Sequence, residues 1–566
     1  MGVGPTIRSL RKRLRLTIAV AASFALAAAV AIGATAASAS STPKFAGYHT
    51  PAPVSASYYR DTNRTATPIK HLVVIFDENE SFDHYFGTYP YAANTDGTSF
   101  HAKPGTPTVN GLYSKITKNG PVGPLLTSNP NEYNPQRLTH AQALTCDQNH
   151  DYLPEQQAEN GGKMNEFVQF TQQDDCSTTG EYYGPPGIVM DYYDGNTVTG
   201  LWNYAQNYAM SDNNWDTTFG PSTEGAIDVS SGLSSDSYAV TPSGTKTTDA
   251  GAITSDGTTY GDIDPYYDEC SDSNHTSSNP EGVMTGENIG DLLNTKHVTW
   301  GWFQGGFAPT SSNSGGAVCG AQSDNIDGSA LNEYTPHWNP FQYNATTANP
   351  AHLAASSESA IGRTDQANHQ YDLSDFSETL KDGNMPSVSY LKATTAQSGH
   401  PGESDPLDEQ QWLVNTVNQI EQSRYWSSTA IVITYDDSDG WYDHQAPKLL
   451  NGSDNSAIDT AMCEATPVRV GSGSGRCGYS QRLPMIVISP YTRDNYVSNN
   501  LTDTTSVVKF IEQNWLHGQT IPGSFDATSG SLDARGGLLD FNTRPHFQPL
   551  ILNPTTGAVV TGGGWG

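Results

Sequence analysis

Two short apolar runs that end in acidic clusters constrain the fold of this chain more than any other feature. Residues 71–76 (HLVVIF) lead directly into 77–79 (DEN), and residues 430–434 (AIVIT) lead through a tyrosine into 436–439 (DDSD). Short runs rich in β-branched and aromatic residues predict strands that are covered on both faces. Ligands of an α/β sheet bind at the carboxyl ends of its strands, and both acidic clusters follow such an end.

The two acidic clusters also indicate a bound cation. Carboxylates that are crowded together repel one another unless a positive charge neutralises them. A single cluster is most simply a solvated turn, but two clusters at equivalent places favour one divalent ion held by oxygen ligands. A calcium loop of the EF-hand type is excluded, because counting back from Gly440 puts Tyr435 at the first ligand position. The identity of the ion stays open among calcium, magnesium, manganese, zinc and iron.

Further apolar patterns extend the predicted fold. Residues 387–391 (SVSYL) and 485–489 (MIVIS) predict two more strands, and the apolar stripes of residues 408–425 and 506–516 predict helices that serve as crossovers. The sequence thus predicts an α/β fold with a mostly parallel central sheet flanked by helices. The segment of about residues 230–370 is rich in Ser, Thr, Gly, Asn and Asp, which predicts a loop-rich excursion or cap.

The N-terminus has the pattern of an export signal. Basic residues between positions 8 and 15 precede an apolar run at 16–32 and the small-residue exit ASA at 37–39. We therefore predict a signal peptide over residues 1–39 and a secreted protein without a stable membrane anchor. An uncleaved membrane anchor is the alternative interpretation of the same run.

Charge and cysteine content narrow the classes of partner. The formal net charge is −31 at pH 7, which argues against binding nucleic acid through a broad basic face. An anionic substrate then needs local positive charge, and a metal ion supplies it compactly. An even number of cysteines in an exported chain favours disulfides. The simplest connectivity is sequential, joining Cys146 to Cys176, Cys270 to Cys319 and Cys463 to Cys477.

A sharp turn and several loop histidines are candidates for chemistry. In the turn FGPS, Ser222 opens a possible short helix, where a serine is most often an N-cap. A neighbouring metal ion would instead lower the pKa of the hydroxyl and make it a nucleophile. His150, His337, His400 and His444 lie among Gly, Pro and aromatic residues in predicted loops, where imidazole can contact an anion or protonate a leaving group.

Taken together, several segments resemble the bacterial phosphoesterase family of phospholipases C and secreted acid phosphatases, within the alkaline-phosphatase-like superfamily. They follow the order of the family from about residue 68 to 516: IKHLVVIFDENESFDHYFG, QNHDYLPEQQAENGGKMNEF, FGPS, HWNPFQY, NMPSVSYLKA to GHPGESDP, ITYDDSDGWYDH, RLPMIVISPY and SVVKFIEQNW. On this resemblance we divide the chain into a signal peptide (1–39), an N-terminal extension (40–66), a phosphoesterase catalytic domain (67–545) and a C-terminal tail (546–566).

The resemblance also implies a set of site residues. One divalent ion would be held by Glu78, Asn79, Asp436, Asp437 and Ser222. Ser222 would attack phosphorus to give a transient phosphoserine that water then hydrolyses. The phosphate pocket would be lined by His150, His337 and His400, one of which protonates the leaving alcohol. Supporting or structural roles would fall to Asp77, Ser81, Asp83 and Asp439.

Three departures from the family pattern bear on the substrate. Trp338 stands where many relatives have a second adjacent histidine, Ser222 stands where the phospholipase branch usually has Thr, and the C-terminus lacks additional β-domains. These features favour an acid phosphatase that acts on phosphomonoesters. A phospholipase C is the alternative, and a non-catalytic secreted binding protein is a third hypothesis. The sequence leaves the oligomeric state open.

Overall fold

The computed structural model describes residues 45, 47–55, 59, 64–172, 182–247, 251–272, 276–470 and 475–562. The predicted signal peptide lies outside the described residues, and so does Cys176, one half of the predicted Cys146–Cys176 pair. The other two sequential pairs, Cys270–Cys319 and Cys463–Cys477, are confirmed as disulfides. None of the helices in the described ranges combines the length and the hydropathy that a membrane crossing requires.

An eight-stranded sheet forms the centre of the fold. Its strands, numbered along the chain, are β1 (His71–Asp77), β2 (Ala209–Ser211), β3 (Trp300–Gln304), β4 (Gln370–Asp372), β5 (Val388–Lys392), β6 (Thr429–Tyr435), β7 (Met485–Ile488) and β8 (Tyr496–Ser498). Their order across the sheet is β4-β3-β5-β1-β6-β7-β2-β8. Strand β7 is antiparallel to both neighbours, and the other five pairings are parallel.

Helices lie on both sides of this sheet. Those of the described residues are α1 (Phe82–Phe86), α2 (Pro124–Thr127), α3 (Tyr152–Glu159), α4 (Phe167–Phe170), α5 (Thr199–Asn207), α6 (Ser222–Ser230), α7 (Ile289–Thr295), α8 (Leu373–Asp382), α9 (Pro406–Glu421), α10 (Ala461–Ala465) and α11 (Ser506–Asn514). Helices α5 and α9 pack with alternate strand residues such as Val73 and Ile75. Helices α6, α7 and α11 pack with the intervening ones, such as Leu72 and Val74. The protein is therefore of the α/β class.

Several short strand pairs form outside the central sheet. A three-stranded ladder joins Ser237–Val240, Lys246–Thr247 and Glu281–Met284. Two-stranded antiparallel ladders join Lys115–Thr117 to Gly120–Val122, Ser311–Asn313 to Gly316–Val318, Gln322–Asp324 to Ala330–Asn332, and Ile551–Leu552 to Val559–Thr561. Asn214–Trp215 and Thr502–Asp503 form a short parallel pair.

The four predicted strands are confirmed as β1, β5, β6 and β7, each within one residue at either end. Five of the seven strand pairings are parallel, which agrees with the predicted mostly parallel sheet, and β7 is the antiparallel exception. The prediction that both helices serve as crossovers was wrong for α11, which comes after β8 and does not link two strands of the central sheet. Periodicity identifies a buried strand, but it carries no information about strand direction, which depends on how the long 436–484 segment returns to the sheet.

Two other segments contribute more to the core than their composition suggested. The predicted excursion of about residues 230–370 contains β3 and α7, and both Trp300 and Trp302 of β3 are fully buried. The predicted C-terminal tail places Leu550 and Leu552 in the same core cluster as α9, and Asn418 of that helix bonds the Leu552 carbonyl. A few well-placed aromatic or aliphatic residues in a polar segment were enough to build these elements.

Candidate active site

The two acidic clusters meet because β1 and β6 are adjacent and parallel. Asp77 pairs in register with Tyr435, so the residues that follow each strand emerge side by side. The backbone N–H groups of Asn79 and Asp437 both donate to Asp436 Oδ1, at 2.9 and 2.8 Å. These bonds lock the two loops together at the carboxyl edge of the sheet.

Ser222 lies at the first position of helix α6 and faces these loops. Its Oγ is 3.1 Å from Glu78 Oε2, 3.3 Å from Asp437 Oδ2 and 3.4 Å from Asn79 Oδ1. A hydroxyl has one proton and can donate it to only one of these three acceptors. The structure therefore brings four of the five predicted ligands together around one small volume. We call Glu78, Asn79, Asp436, Asp437 and Ser222 the oxygen cluster.

A glycine lets helix α6 approach the second acidic loop. A Cβ atom at Gly225 would lie 2.2 Å from the Asp436 carbonyl oxygen, which no side chain could tolerate. Glycine inside a helix costs about 1 kcal/mol relative to alanine, so a packing requirement explains its presence here. Local sequence does not identify Gly225 as a residue of the site, because Asp436 is more than two hundred residues away.

The surroundings of the oxygen cluster carry more negative than positive charge. Burial, followed by repulsion from nearby carboxylates, raises the pKa of Asp77, Glu78, Asp437 and Asp439 well above the usual range. The ammonium of Lys392, fully buried at the end of β5, contacts Glu78 Oε1. Lys392 was not among the predicted site residues, although a charged residue at the end of a predicted buried strand can be recognised in the sequence. Lys392 and the nearby His150 offer two positive charges against these four carboxyl groups.

The residues present fit a divalent cation. Carboxylate, amide and hydroxyl oxygens are the donors that hard divalent ions prefer. Asp436 Oδ2 and both carboxylate oxygens of Asp77 are buried and have no hydrogen-bond partner within the described part of the chain. Unpaired buried acceptors are costly, and a cation would relieve that cost.

The three predicted histidines line one cavity beside the oxygen cluster. This cavity has a volume of about 320 Å³ and is bordered by His150, His337 and His400. Asn79 Nδ2 lies 3.1 Å from His400 Nε2 and 3.4 Å from His150 Nε2, so the cavity reaches the cluster. Together with Asp147, His150 and His400 form a second group whose possible ligand atoms lie within 4.8 Å of one another.

Neighbouring carboxylates keep two of these histidines charged. Burial by itself would lower the pKa of His150, but Asp437 and Asp147 outweigh it and raise the pKa to about 10. Burial likewise opposes Asp262 and Asp264 at His337, whose pKa rises to about 9. Both imidazoles are therefore cationic at neutral pH and place positive charge in the cavity of an acidic protein.

Trp338 forms an aromatic wall of the same cavity. It is almost fully buried, and its ring centroid lies 4.9 Å from Lys392 Nζ, which also lies 4.6 Å from the centroid of Phe76. Cation–π contacts of this kind stabilise a buried ammonium. Trp338 thus supports the lysine that contacts Glu78.

His444, the fourth histidine of interest, lies in a different cluster. Its Nδ1 is 2.5 Å from Asp83 Oδ2. Arg482 is fully buried and contacts Asp83 at 3.3 Å and Asp443 at 2.9 Å. We call Asp83, Asp443, His444 and Arg482 the arginine cluster. Ser81, which was predicted to have a supporting role, accepts a hydrogen bond from His84 N–H at the start of α1.

Comparison with known proteins finds a family and several relatives that this chain is similar to. A family model described as the Phosphoesterase family matches residues 69–516. A stretch of 140 residues is 35% identical to the non-hemolytic phospholipase C of Burkholderia pseudomallei, covering 24% of this chain and 20% of that protein. The non-hemolytic phospholipase C of Pseudomonas aeruginosa is 32% identical over 140 residues, covering 23% of this chain and 20% of that protein. A third match, at 28% identity over 189 residues, is phospholipase C A of Mycobacterium tuberculosis, covering 33% of this chain and 35% of that protein.

Proposed function

Because the chain belongs to the Phosphoesterase family, we propose that it hydrolyses phosphoric esters where Ser222 meets the oxygen cluster. The observation that carries this proposal is the convergence of Ser222 Oγ with three side-chain oxygens at 3.1 to 3.4 Å, beside a cavity lined by histidines. The aligned stretches span at most 35% of the relatives named above, so the activity rests on this site and not on their names. We also assign the fold to the alkaline-phosphatase-like superfamily.

In this proposal the oxygen cluster holds one divalent ion. When bound, such an ion lowers the pKa of a nearby hydroxyl and offsets negative charge on the substrate. Ser222 is held at the N-terminus of α6, a helix of nine residues whose positive end favours an anion. The Ser222 hydroxyl gives its proton to a carboxylate of the oxygen cluster, which returns it when the phosphoserine is hydrolysed. The Ser222 oxygen attacks phosphorus, and the bond from phosphorus to the leaving alcohol breaks.

The charged histidines take the remaining roles. The imidazolium groups of His150 and His337 stabilise the phosphoryl oxygens, and one histidine of the cavity donates a proton to the leaving alkoxide. Water then attacks the phosphoserine, returns a proton to that histidine and releases phosphate or a phosphomonoester. His337 lies between Asp262 and Asp264, with nitrogen–oxygen distances of 3.9 and 3.4 Å. The negative charges of these two carboxylates keep the imidazole protonated.

The comparisons change the order of the two substrate classes. The departures from the family pattern favour an acid phosphatase, but the relatives named above are called phospholipases C. We therefore propose a glycerophospholipid as the first substrate class, with diacylglycerol as the leaving alcohol. A phosphomonoester is the second, because Ser222 departs from the threonine of the phospholipase branch. Secretion remains part of the proposal, and the two disulfides fit an oxidising compartment.

Substitution of the nucleophile tests the proposal. We expect Ser222→Ala to lower kcat by on the order of 10³-fold or more, because no other hydroxyl takes its place in the cluster. Turnover should be measured on phosphatidylcholine vesicles and on an aryl phosphate, each with and without a metal chelator. The matched control is Ser230→Ala, a buried serine of the same helix that donates to the Ile227 carbonyl.

Each outcome has a distinct meaning. Full activity of Ser222→Ala, or activity that survives complete metal removal, would contradict the mechanism. Hydrolysis of the aryl phosphate alone would make the phosphomonoesterase the correct assignment. Absence of turnover on both substrates by the metal-loaded wild type would favour the non-catalytic binding protein.

A further inference from the structure

A buried glutamate outside the predicted site connects its parts. Glu155 lies on α3, which begins two residues after His150, and its side chain is fully buried. Three hydrogen-bonding groups contact its carboxylate. Ser438 Oγ donates to Oε1 at 2.8 Å and the Gly220 N–H donates to Oε2 at 3.1 Å, while Ser480 Oγ, which also contacts Gln481 Oε1, lies 3.3 Å from Oε2.

Each of these groups is close in sequence to a residue of the site or to a segment that supports it. Ser438 stands directly after Asp437, and Gly220 comes two residues before Ser222. The Ser480 N–H bonds the Asp216 carbonyl in the segment that leads into the nucleophile turn. One carboxylate therefore ties together the histidine-bearing helix, the nucleophile turn and the second acidic loop.

We propose that Glu155 is a positioning residue that sets the separation between Ser222 Oγ and the second acidic loop. Glu155 acts through Ser438 and Gly220, which both donate to its carboxylate. The inference rests on the proposed function, because it assigns the chemistry to Ser222 and Asp437. Small displacements of reacting groups are costly, since about 1 Å of misplacement can lower a rate about 100-fold.

Two substitutions at Glu155 separate positioning from other roles. Glu155→Leu removes all three acceptor contacts at similar volume, so we expect kcat to fall at least about tenfold with KM unchanged within about twofold. Glu155→Gln should keep kcat within about threefold, because its amide oxygen can still accept from Gly220 and its amide N–H can donate to Ser438 Oγ. Calorimetric titration with Mn²⁺ should show weaker binding by Glu155→Leu than by Glu155→Gln.

Glu159 provides a matched control on the same helix. It is equally buried one turn later, and its Oε1 has no hydrogen-bond partner among the described residues. We expect Glu159→Leu to keep wild-type kcat and Mn²⁺ affinity. Should Glu155→Leu fail to fold, Ser438→Ala removes the donor to Oε1 and should lower kcat at unchanged KM.

Several results would overturn the inference. These are wild-type kcat in Glu155→Leu, equal losses in the Leu and Gln variants, equal losses in Glu155→Leu and Glu159→Leu, or unchanged kcat in Ser438→Ala. An inactive wild type would refute the proposed function instead. In that case the order of Mn²⁺ affinities among the same variants still decides the positioning role.

Discussion

Two buried acidic clusters lie in this molecule, and they are balanced in opposite ways. In the arginine cluster, Arg482 and His444 contact Asp83 directly, and their charges outweigh burial so that the pKa of Asp83 lies below its usual range. In the oxygen cluster, Lys392 contacts only one carboxylate, and the pKa values of Glu78 and Asp437 lie well above the usual range.

The balance of buried charge distinguishes a structural acidic cluster from a candidate metal site. Both clusters contain buried aspartates close to a histidine or a lysine, so the presence of acids does not separate them. The arginine cluster contains its own cations, Arg482 and His444. In the oxygen cluster, Asp436 Oδ2 is buried without a hydrogen-bond partner among the described residues, and a cation from outside would balance the charge.

Removing one negative charge from the oxygen cluster should change the activity more than any other substitution considered below. Asp437→Asn removes a proposed ligand, so we expect kcat to fall on the order of 10³-fold. The same change relieves repulsion, so the metal-free variant should be at least as stable as metal-free wild type in chemical denaturation. Kinetics with added metal and denaturation in chelator provide the two measurements.

Asp83→Asn is the matched control in the arginine cluster. Because His444 and Arg482 hold the pKa of Asp83 below its usual range, removing that charge should lower the free energy of unfolding at neutral pH. Equal destabilisation by Asp437→Asn and Asp83→Asn in chelator would contradict the distinction between the two clusters.

The second effect tests the arginine cluster. Arg482→Met leaves Asp83 and Asp443 buried with only His444 beside them, and we expect the free energy of unfolding to fall by about 3 kcal/mol or more. The control is Arg493→Met, because Arg493 is 33% exposed and pairs with Asp540 at 3.0 Å. An exposed pair contributes only about 0 to 1 kcal/mol. Similar melting temperatures for the two variants would show that the arginine cluster does not stabilise the fold.

The smallest effect is a pH dependence of stability. Asp83 raises the pKa of His444 above its usual value, even though burial opposes this and Arg482 lowers it. A raised folded-state pKa stabilises the fold fully below the unfolded pKa of about 6.5, and this contribution is lost as pH rises through the folded value. The stability difference between wild type and His444→Gln should therefore shrink from pH 6 to alkaline pH. A difference that stays constant over this range would show that His444 acts without its charge.

The local elements of the protein could be predicted from its sequence. Four strands, two helices and two disulfide pairs could be predicted, because side-chain periodicity and cysteine order are properties of neighbouring residues. The acidic residues and Ser222 could be named because each follows a strand or opens a helix. Their meeting at one point was an expectation that rested on the resemblance to a family.

Other residues around the site could be identified only from the tertiary structure. Lys392, Gly225 and Glu155 act on partners that are distant in sequence, at Glu78, Asp436 and Ser438 respectively. The antiparallel direction of β7 and the burial of β3 also depend on how distant segments pack. Local pattern specifies what a segment forms, but charge balance and close approach arise only when separate segments share one buried volume.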